Sequence, residues 1–491
     1  MAPSIHEIAN PTALADASRI TPRRLETLPS PLGLPLLGNA LALDVTRLHL
    51  VFEDWARAHG PRYTFKMGPQ RWLVVGDLAP IRQVLEERPE NYRRASQLEP
   101  VVKEFGAHGL FSAEGEAWKR QRKLVMPAFS MRQLKDLHPS IVRFTERLRA
   151  HWQRAALRGE VVDVRRDLMR YAVDVTSYVV FGRDLNTLET PDSDLQLHFG
   201  RIFSAINRRT NSLIPYWRWF KLPRDRAVDT SLRVVHDTLA KFIAEGRQVL
   251  ATRAGASRSA KTVLDAFLIS QREASRERPL SDSEIVGNVL TLLLAGEDTT
   301  SNTMAWMLHY AARDPSVQTG LQEEADRVLG SSDLAESFDD VAKLKVTGAV
   351  THETLRLRSA APLLFLEPVR DVVLAGIAVP AHTPIVLLTR FCSTSSGEFA
   401  EPGRFDASRW LEHGSTGCPH NTRAALAFGS GPRTCPGRTL ALVECAMVLS
   451  MVAKNFVLEP VSSPDSVTEY FDFTMQPAGL KLRFQPREQR V

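Results

Sequence analysis

Residues Phe428 to Gly437 read Phe-Gly-Ser-Gly-Pro-Arg-Thr-Cys-Pro-Gly and hold one cysteine, Cys435, in a glycine-rich loop. Glycine adopts backbone angles closed to other residues and lets the chain approach a flat ligand closely. The sequence after Gly437 predicts a helix. A cysteine just before a helix faces unpaired N–H groups, which favour the thiolate, and Arg433 adds positive charge. The loop therefore suits an iron that is held mainly by a porphyrin and takes one axial ligand from the protein.

This stretch resembles the haem-binding loop of the cytochrome P-450 family, Phe-x-x-Gly-x-Arg-x-Cys-x-Gly. The matching residues are Phe428, Gly431, Arg433, Cys435 and Gly437. A buried free cysteine after a glycine-rich turn is the ordinary alternative, but five fixed residue types in ten positions rarely coincide by chance. The resemblance implies a mainly α haem-thiolate fold with a smaller β region. It also implies haem b (protohaem IX) as cofactor, with Cys435 as axial ligand of the iron.

A long helix is the second strong signal. The capping box Ser281–Glu284 begins a mostly apolar run that continues to His309 and stops near Asp314-Pro315. About 30 residues at 1.5 Å each give roughly 45 Å, enough to cross a whole domain. The apolar part is too short to span a membrane.

Within this helix lies Ala295-Gly296-Glu297-Asp298-Thr299-Thr300, which is poor helix-forming sequence. It resembles the family's Ala/Gly-Gly-x-Asp/Glu-Thr-Thr/Ser segment. There the small residues, here Ala295 and Gly296, leave room beside the iron for dioxygen. The resemblance implies that Thr299 and Asp298 are catalytic and control proton delivery. The Thr299 hydroxyl either bonds back to the Ala295 carbonyl or turns toward a bound ligand.

Trp118 and Arg122 are four residues apart and would share one face of a helix. The family uses such a pair to hold a haem propionate, which an arginine fork fits better than a lysine. An ordinary surface arginine is the alternative. Lys119, Arg120 and Lys123 lie in the same basic stretch, and we predict that they form a docking surface for an electron donor.

Glu353-Thr354-Leu355-Arg356 matches the family's Glu-x-x-Arg motif. Pairs three residues apart also occur widely as surface salt bridges. In the family the pair is buried and joined by an arginine from a later loop, which Arg409 matches here. The resemblance implies a structural role for these residues behind the cysteine loop.

The segment after this motif is predicted to line an apolar substrate pocket. Its candidates are Leu363, Leu364 and Phe365, together with Leu292 and Ala295 of the long helix. Relatives often carry another propionate-binding arginine shortly afterwards. Apolar and acidic residues occupy that neighbourhood here, so no such ligand is predicted.

Alternating apolar residues and turn signals predict three pairs of strands. The predicted pairs are Tyr63–Met67 with Arg71–Val75, Asp371–Gly376 with Thr383–Leu388, and Phe471–Met475 with Leu480–Phe484. The arginine-rich and aromatic stretch from Ile202 to Arg226 is either a lid over the substrate channel or a packed helix–loop–helix.

Composition narrows the function classes. The 491 residues carry a net charge of +6, but 62 Lys and Arg are interspersed with 56 Asp and Glu and form no basic tail. We therefore expect no nucleic acid partner and favour a basic docking face.

None of the four cysteines forms Cys-x-x-Cys, which argues against a zinc site or redox dithiol and fits a reducing compartment. Cys418-Pro419-His420 is predicted to be loop.

The domain prediction is a flexible tail over 1–24 and a single haem domain over 25–491. The tail contains Glu7 and Asp16 and lacks the apolar core of a signal peptide. We expect a bacterial-type cytoplasmic monomer with no membrane span.

The predicted activity is monooxygenation of an apolar substrate such as a fatty acid, terpenoid or steroid, using O2. Few residues follow Cys435, so we expect electrons from separate partners, either a ferredoxin with its reductase or a flavodoxin. A peroxide-driven peroxygenase or a haem-thiolate isomerase or dehydratase would not need Asp298 and Thr299. A haem sensor or carrier is the non-enzymatic alternative.

Overall fold

The fold is described by a computed structural model over residues 21–190, 195–212, 214–252, 260–272, 278–395, 397–411, 421–461, 463 and 466–488. Helices predominate over strands there, as predicted. The helices are α1 (Leu48–His59), α2 (Leu78–Glu86), α3 (Leu98–Glu104), α4 (Gly115–Val125), α5 (Met131–Leu157), α6 (Val164–Phe181), α7 (Leu195–Thr210), α8 (Pro223–Thr252), α9 (Val263–Arg272), α10 (Asp282–Arg313), α11 (Pro315–Leu329), α12 (Phe338–Val341), α13 (Lys345–Leu357), α14 (Thr389–Ser393) and α15 (Arg438–Asn455).

The strands are short and form small sheets. They are β1 (Arg23–Arg24), β2 (Arg62–Met67), β3 (Gln70–Val75), β4 (Tyr92–Arg94), β5 (Val161–Val162), β6 (Leu364–Pro368), β7 (Val372–Leu374), β8 (Ile377–Val379), β9 (Ile385–Leu387), β10 (Phe456–Pro460), β11 (Thr468–Asp472), β12 (Thr474–Ala478) and β13 (Leu482–Pro486). The largest sheet has the order β2-β3-β9-β6-β4, with β3 and β9 parallel and its other neighbours antiparallel.

Helix α10 forms where the sequence predicts it. The Ser281 hydroxyl accepts from the Glu284 N–H at 3.2 Å, and the Glu284 carboxylate accepts from the Ser281 N–H at 2.7 Å. These bonds satisfy two of the N–H groups left free at a helix start. At the other end Asp314 accepts from the Ser316 N–H at 2.9 Å, which caps the next helix, α11. The long helix is thus delimited by its own side chains.

The main hydrophobic core surrounds α10 and joins it to α6 and α15, among other helices. Gly296 lets α6 pack closely, because a Cβ at this position would lie 2.5 Å from the Thr176 hydroxyl oxygen. Two smaller cores cover the two faces of the five-stranded sheet. Successive residues of a strand point to opposite faces, so Leu73 joins one core and Val74 the other.

Two of the three predicted strand pairings are wrong. The β2–β3 hairpin forms as predicted. However, β7 pairs with β8 next to it, while β9 lies between β3 and β6. The chain also reverses at Phe473, so β11 pairs with β12, and β13 pairs with β10 and β5 instead. Both errors arose because a short strand chooses its partner through distant packing.

Several further predictions concern segments that the structure describes only in part. Residues 1–20 of the predicted tail and Cys418 to His420 lie outside them. Arg23 and Arg24, which belong to the predicted tail, form a strand that pairs with Ile377 and Ala378. Residues 202–226 span the end of α7, a short turn and the start of α8. In the described part of the chain no helix has the length and apolarity that a bilayer crossing needs.

Candidate active site

Cys435 lies at the junction of a tight turn, Gly431–Arg433, and helix α15. Its N–H donates to the Phe428 carbonyl at 3.0 Å, which closes the loop, and its side chain is accessible. The surrounding protein nevertheless desolvates the sulfur and raises the pKa of the Cys435 thiol, although the Gly437 N–H and the Arg122 charge act in the opposite direction. The N–H groups at the helix start thus favour the thiolate, as expected, but desolvation outweighs them. A metal ion bound to the sulfur would remove the proton.

The glycines of this loop meet two different demands. Gly429 and Gly431 have positive φ angles of 73° and 68°, which other residues rarely adopt. A Cβ on Gly431 would also lie 2.5 Å from the Leu85 carbonyl oxygen. A Cβ on Gly437 would meet only ordinary contacts, at 3.9 Å from Phe129. The protein itself does not require glycine at Gly437, whereas a ligand approaching that surface would.

Arg433 contacts the segment before α4. It donates to the Ala113 carbonyl at 2.7 Å and pairs with Glu114. Its guanidinium lies 4.4 Å from the centroid of the Trp118 ring. Burial lowers the pKa of Arg433 to about 10. Its Nε is buried and lacks a hydrogen-bond partner.

Three more guanidinium groups lie near Arg433, and we call the four the arginine cluster: Arg88, Arg94, Arg122 and Arg433. Arg122 donates to the Thr434 carbonyl at 3.0 Å and lies 5.6 Å from the Trp118 ring centroid. Arg94 donates to the Phe111 carbonyl at 2.6 Å. Desolvation and the charges of Arg88 and Arg433 hold the pKa of Arg94 well below its usual range.

The arginine cluster has an excess of positive charge. Glu114 is its nearby carboxylate: it pairs with Arg433, approaches Arg88 at 3.4 Å and partly offsets the effect of these charges on Arg94. Buried charges normally occur paired. A cluster with one carboxylate and a buried, unpartnered Nε therefore suits an anionic ligand.

The Ala295–Thr300 segment is partly accessible, although it lies in the middle of the mostly buried helix α10. Ala295 is exposed and Thr299 half-buried, while Asp298 and Thr300 are buried. The Thr299 hydroxyl donates to the Ala295 carbonyl at 2.8 Å, the first of the two arrangements expected from the sequence. Asp298 does not join it: its carboxylate accepts from Arg165 at 3.1 Å and from the Thr474 hydroxyl.

Comparison with known proteins identifies this combination. The model of the family described as cytochrome P-450 matches residues 28–484. The chain belongs to the cytochrome P-450 family. It is 30% identical over 458 residues to the mitochondrial 25-hydroxyvitamin D-1 alpha hydroxylase of Mus musculus, with 89% of this chain and 88% of that protein covered. It is 27% identical to the chloroplastic cytochrome P-450 97B2 of Glycine max (88% and 82% covered) and to cytochrome P-450 monooxygenase sphH of Aspergillus fumigatus (92% and 86%).

This cytochrome P-450 is therefore an oxidoreductase, and members of its family bind protohaem IX. The residues described above fit that group. Haem carries two propionates, which match the cationic excess of the arginine cluster and the unpartnered Arg433 Nε. Cys435 offers an accessible sulfur for the iron, and, apart from Gly437 and its chain neighbours, no atom of the described residues lies closer than 3.9 Å to the position of a Cβ on Gly437.

The three residues predicted to have a structural role lie together. Glu353 and Arg356 form two hydrogen bonds of 2.7 and 2.8 Å, and Arg409 donates to Glu353 at 3.2 Å. All three side chains are buried. Arg356 also donates to the carbonyls of Ser393 and Pro402 at 3.1 and 2.6 Å. The motif thus joins α13 to the irregular segment that precedes the cysteine loop.

The predicted pocket residues are not gathered into one cluster. Leu292 packs in the core around α10, Leu363 and Phe365 in one sheet core, and Leu364 in the other. Leu364 and Phe365 are adjacent in β6, so the alternation of a strand sends them to opposite faces. Three aromatic residues that the sequence did not predict to be neighbours lie together, because Phe473 contacts both Phe111 and Phe203.

The predicted donor-docking residues are partly neutralised. Lys119 pairs with Glu116 at 2.9 Å and approaches Glu90 at 3.8 Å. Arg120 is mostly buried and pairs with Glu284 of α10 at 2.5 Å. The basic stretch alone did not predict this, because Glu90 and Glu284 come from other segments and Glu116 lies in the first turn of α4.

Proposed function

We propose that this cytochrome P-450 is a monooxygenase that inserts one oxygen atom from O2 into an apolar small molecule, by hydroxylation or epoxidation. The observation that carries the proposal is the accessible Cys435 thiol at the start of α15, beside an arginine cluster with unsatisfied charge. When bound, the haem supplies the redox chemistry that activates O2.

The cofactor would be held from two directions. Cys435 would supply a sulfur ligand to the iron, and its loop, including Phe428, Gly429 and Gly437, would let the porphyrin lie close to the backbone. Arg433, Arg122 and Arg94 would bind the propionates, because guanidinium groups match carboxylates through paired hydrogen bonds. Trp118 lies against Arg433 and Arg122 and would fix their planes. Arg94 is an addition to the residues predicted from the sequence.

Thr299 and Asp298 would have different roles in proton delivery. The exposed surface of Ala295 leaves room for a small ligand beside the half-buried Thr299. Only a rotation about χ1 separates the Thr299 hydroxyl's bond to Ala295 from an orientation toward such a ligand. Asp298, held by Arg165, would exchange protons with solvent that reaches it beside the Arg165 side chain, which is 26% exposed. The Thr299 hydroxyl would then orient the proton that Asp298 provides.

The proposed substrate is apolar, in the class of fatty acids, terpenoids and steroids. The rings of Phe111, Phe203 and Phe473 support this class, and one relative is named as a hydroxylase of 25-hydroxyvitamin D. Leu292, Leu363, Leu364 and Phe365 remain predictions as lining residues. We propose that a separate ferredoxin with its reductase, or a flavodoxin, supplies electrons to a monomeric single haem domain that begins near residue 25.

Replacing Thr299 tests this function. We expect Thr299→Ala to bind haem as the wild type does but to divert most of the electrons from product to hydrogen peroxide, because a hydroxyl that orients the proton is lost. The measurement is the ratio of product to peroxide per electron supplied, with the same donor system and an apolar substrate identified by a spin-state screen.

Thr300→Ala is the matched control. Thr300 shares the face of Gly296, which packs on α6, so its loss should leave the product-to-peroxide ratio unchanged. Tightly coupled turnover in Thr299→Ala would contradict the assigned role. Uncoupling of equal size in both variants would show a general packing defect instead.

A further inference from the structure

Three consecutive residues, Asp472 to Thr474, connect parts of the molecule that are far apart in sequence. They form the reversal of the β11–β12 hairpin, at which Phe473 adopts a positive φ of 69°. This left-handed conformation is rare for a residue other than glycine, and it persists where the surroundings hold it. The next residue, Met475, donates its N–H to the Ala360 carbonyl at 2.9 Å, which ties the hairpin to the segment after α13.

Phe473 contacts aromatic rings from two other elements. Its ring centroid lies 5.9 Å from that of Phe111, in the segment before α4, and 5.7 Å from that of Phe203 on α7. The Arg94 guanidinium lies 3.5 Å from the Phe111 centroid. The aromatic group therefore adjoins the arginine cluster, and an apolar molecule bound beside the haem would press against it.

Thr474 holds the acid of α10. Its buried hydroxyl bonds to the Asp298 carboxylate and accepts from the Asn302 amide at 3.1 Å. Arg165 completes a closed ring of four side chains, since it donates to Asn302 at 2.8 Å and to Asp298 at 3.1 Å. A displacement of the hairpin would break this ring at the Thr474 hydroxyl.

Asp472 anchors the other side of the same turn. Its carboxylate accepts from the Asn207 amide of α7 at 3.3 Å and also bonds to Ser204. Phe203 lies on the same helix, so α7 contacts the turn both through a ring and through polar side chains. Movement of α7 or Phe473 would be transmitted to Thr474 over one or two residues of backbone.

We propose that an apolar molecule binds against these three phenylalanine rings, here called the apolar pocket, and that this turn couples its binding to the position of Asp298. With the pocket empty, Thr474 holds the carboxylate. A bulky molecule that displaces Phe473 pulls Thr474 away from the Asp298 carboxylate, which keeps its bond to Arg165 and becomes able to take up a proton from solvent and deliver it. Thr474 is thus a positioning residue that limits proton delivery to the substrate-bound enzyme. The inference rests on the proposed function and adds a control to it.

Coupling of this kind is reciprocal, which gives a test that needs no turnover. If a bulky ligand must break the Thr474–Asp298 bond, removing that bond in advance makes the ligand bind more tightly. We expect Thr474→Val to bind a triphenylmethyl-imidazole about tenfold more tightly than the wild type, near the lower end for one hydrogen bond to a charged group. Bare imidazole, which binds the iron without filling the pocket, should bind equally to both proteins. Titration of the haem Soret band measures both affinities.

Two further variants sharpen the comparison. Thr474→Ser keeps the hydroxyl and should bind both azoles like the wild type. Thr468→Val makes the same change at the exposed far end of the hairpin and should also have no effect. In wild-type protein, the bulky azole but not imidazole should increase hydrogen exchange of the peptide covering 468–478, which tests the proposal even if a variant does not fold.

Equal affinity of Thr474→Val and wild type for the bulky azole, or unchanged hydrogen exchange, would overturn the coupling. So would an equal change for both azoles. These results would leave the proposed monooxygenase intact. A protein whose Soret band responds to neither azole would instead contradict the proposed haem site itself.

Discussion

At the scale of single residues, Arg94 provides a test of the arginine cluster. We expect Arg94→Gln to release haem about tenfold faster than the wild type, because one hydrogen bond between charged groups contributes about 1.5–3 kcal/mol. The rate of haem transfer to an excess of apomyoglobin measures this loss. The folding stability of the apoprotein should not fall, because the substitution removes a buried charge that is only partly paired.

The neighbouring Arg93 offers a matched control. Its side chain is 28% exposed and pairs with Glu99 at 2.6 Å. Arg93→Gln should therefore retain haem like the wild type. Equal rates of haem loss from Arg94→Gln and Arg93→Gln would remove Arg94 from the cofactor site.

Arg94 also marks what a single sequence could not reveal. The sequence has Leu366 in the neighbourhood where an arginine was sought, and so predicted no further propionate ligand. In the sheet, β4 lies antiparallel to β6, and Arg94 stands directly opposite Leu366. The neighbouring strand thus supplies a guanidinium near the place where β6 lacks one. Residues so distant in the chain become neighbours only through strand pairing, which has no local signal.

At the scale of secondary-structure elements, a buried ion-pair network joins α1, α14 and β11. Arg390 forms two 2.8 Å hydrogen bonds with Glu53 and a third, of 2.6 Å, with Glu469. Glu469 also accepts from His49 at 2.7 Å and pairs with Arg358. Burial alone would raise the pKa of the Glu469 carboxyl, but these partners outweigh it and hold the pKa well below its usual value.

We expect Glu469→Gln to reduce the free energy of unfolding by about 3–5 kcal/mol at pH 7, as is typical when one partner of a buried ion pair is removed. The folded protein binds the Glu469 proton less readily than the unfolded chain, whose reference pKa is 4.5. The carboxylate therefore contributes stability above that pH and loses it as the pH falls. The difference between wild type and variant should shrink from pH 5 to pH 3, as measured by denaturant unfolding. A constant difference would mean that packing, and not charge, explains the loss.

Elements defined by local signals were predictable, whereas their partners were not. The capping box fixed the start of α10, and Asp314-Pro315 fixed its end. The β2–β3 hairpin followed from two alternating runs around a short turn. The prediction of the C-terminal hairpin was wrong because the chain turns at Phe473. This residue has a positive φ, and no glycine or asparagine in the sequence marks the turn. That exception lies in the turn that we propose couples binding of an apolar molecule to the position of Asp298.

At the scale of the whole molecule, the order of motifs along the chain predicted the family and the fold. Each motif alone could be explained without a haem site, but no such explanation accounted for all of them in this order. The cysteine loop could be recognised because its glycines and its cysteine are adjacent in sequence. The arginine cluster could not be predicted in full, because α4, the segment Arg88–Arg94 and the cysteine loop contribute its members from three regions of the sequence.

The central claim is that Cys435 binds haem iron as a thiolate, and the spectrum of the reduced protein with carbon monoxide tests it most directly. We predict the strongly red-shifted Soret band of a haem-thiolate protein for the wild type and for Cys445→Ala, which removes a buried cysteine of α15. Cys435→Ala should lose that band. A wild-type protein without the band, or a Cys435→Ala variant that retains it, would contradict the account.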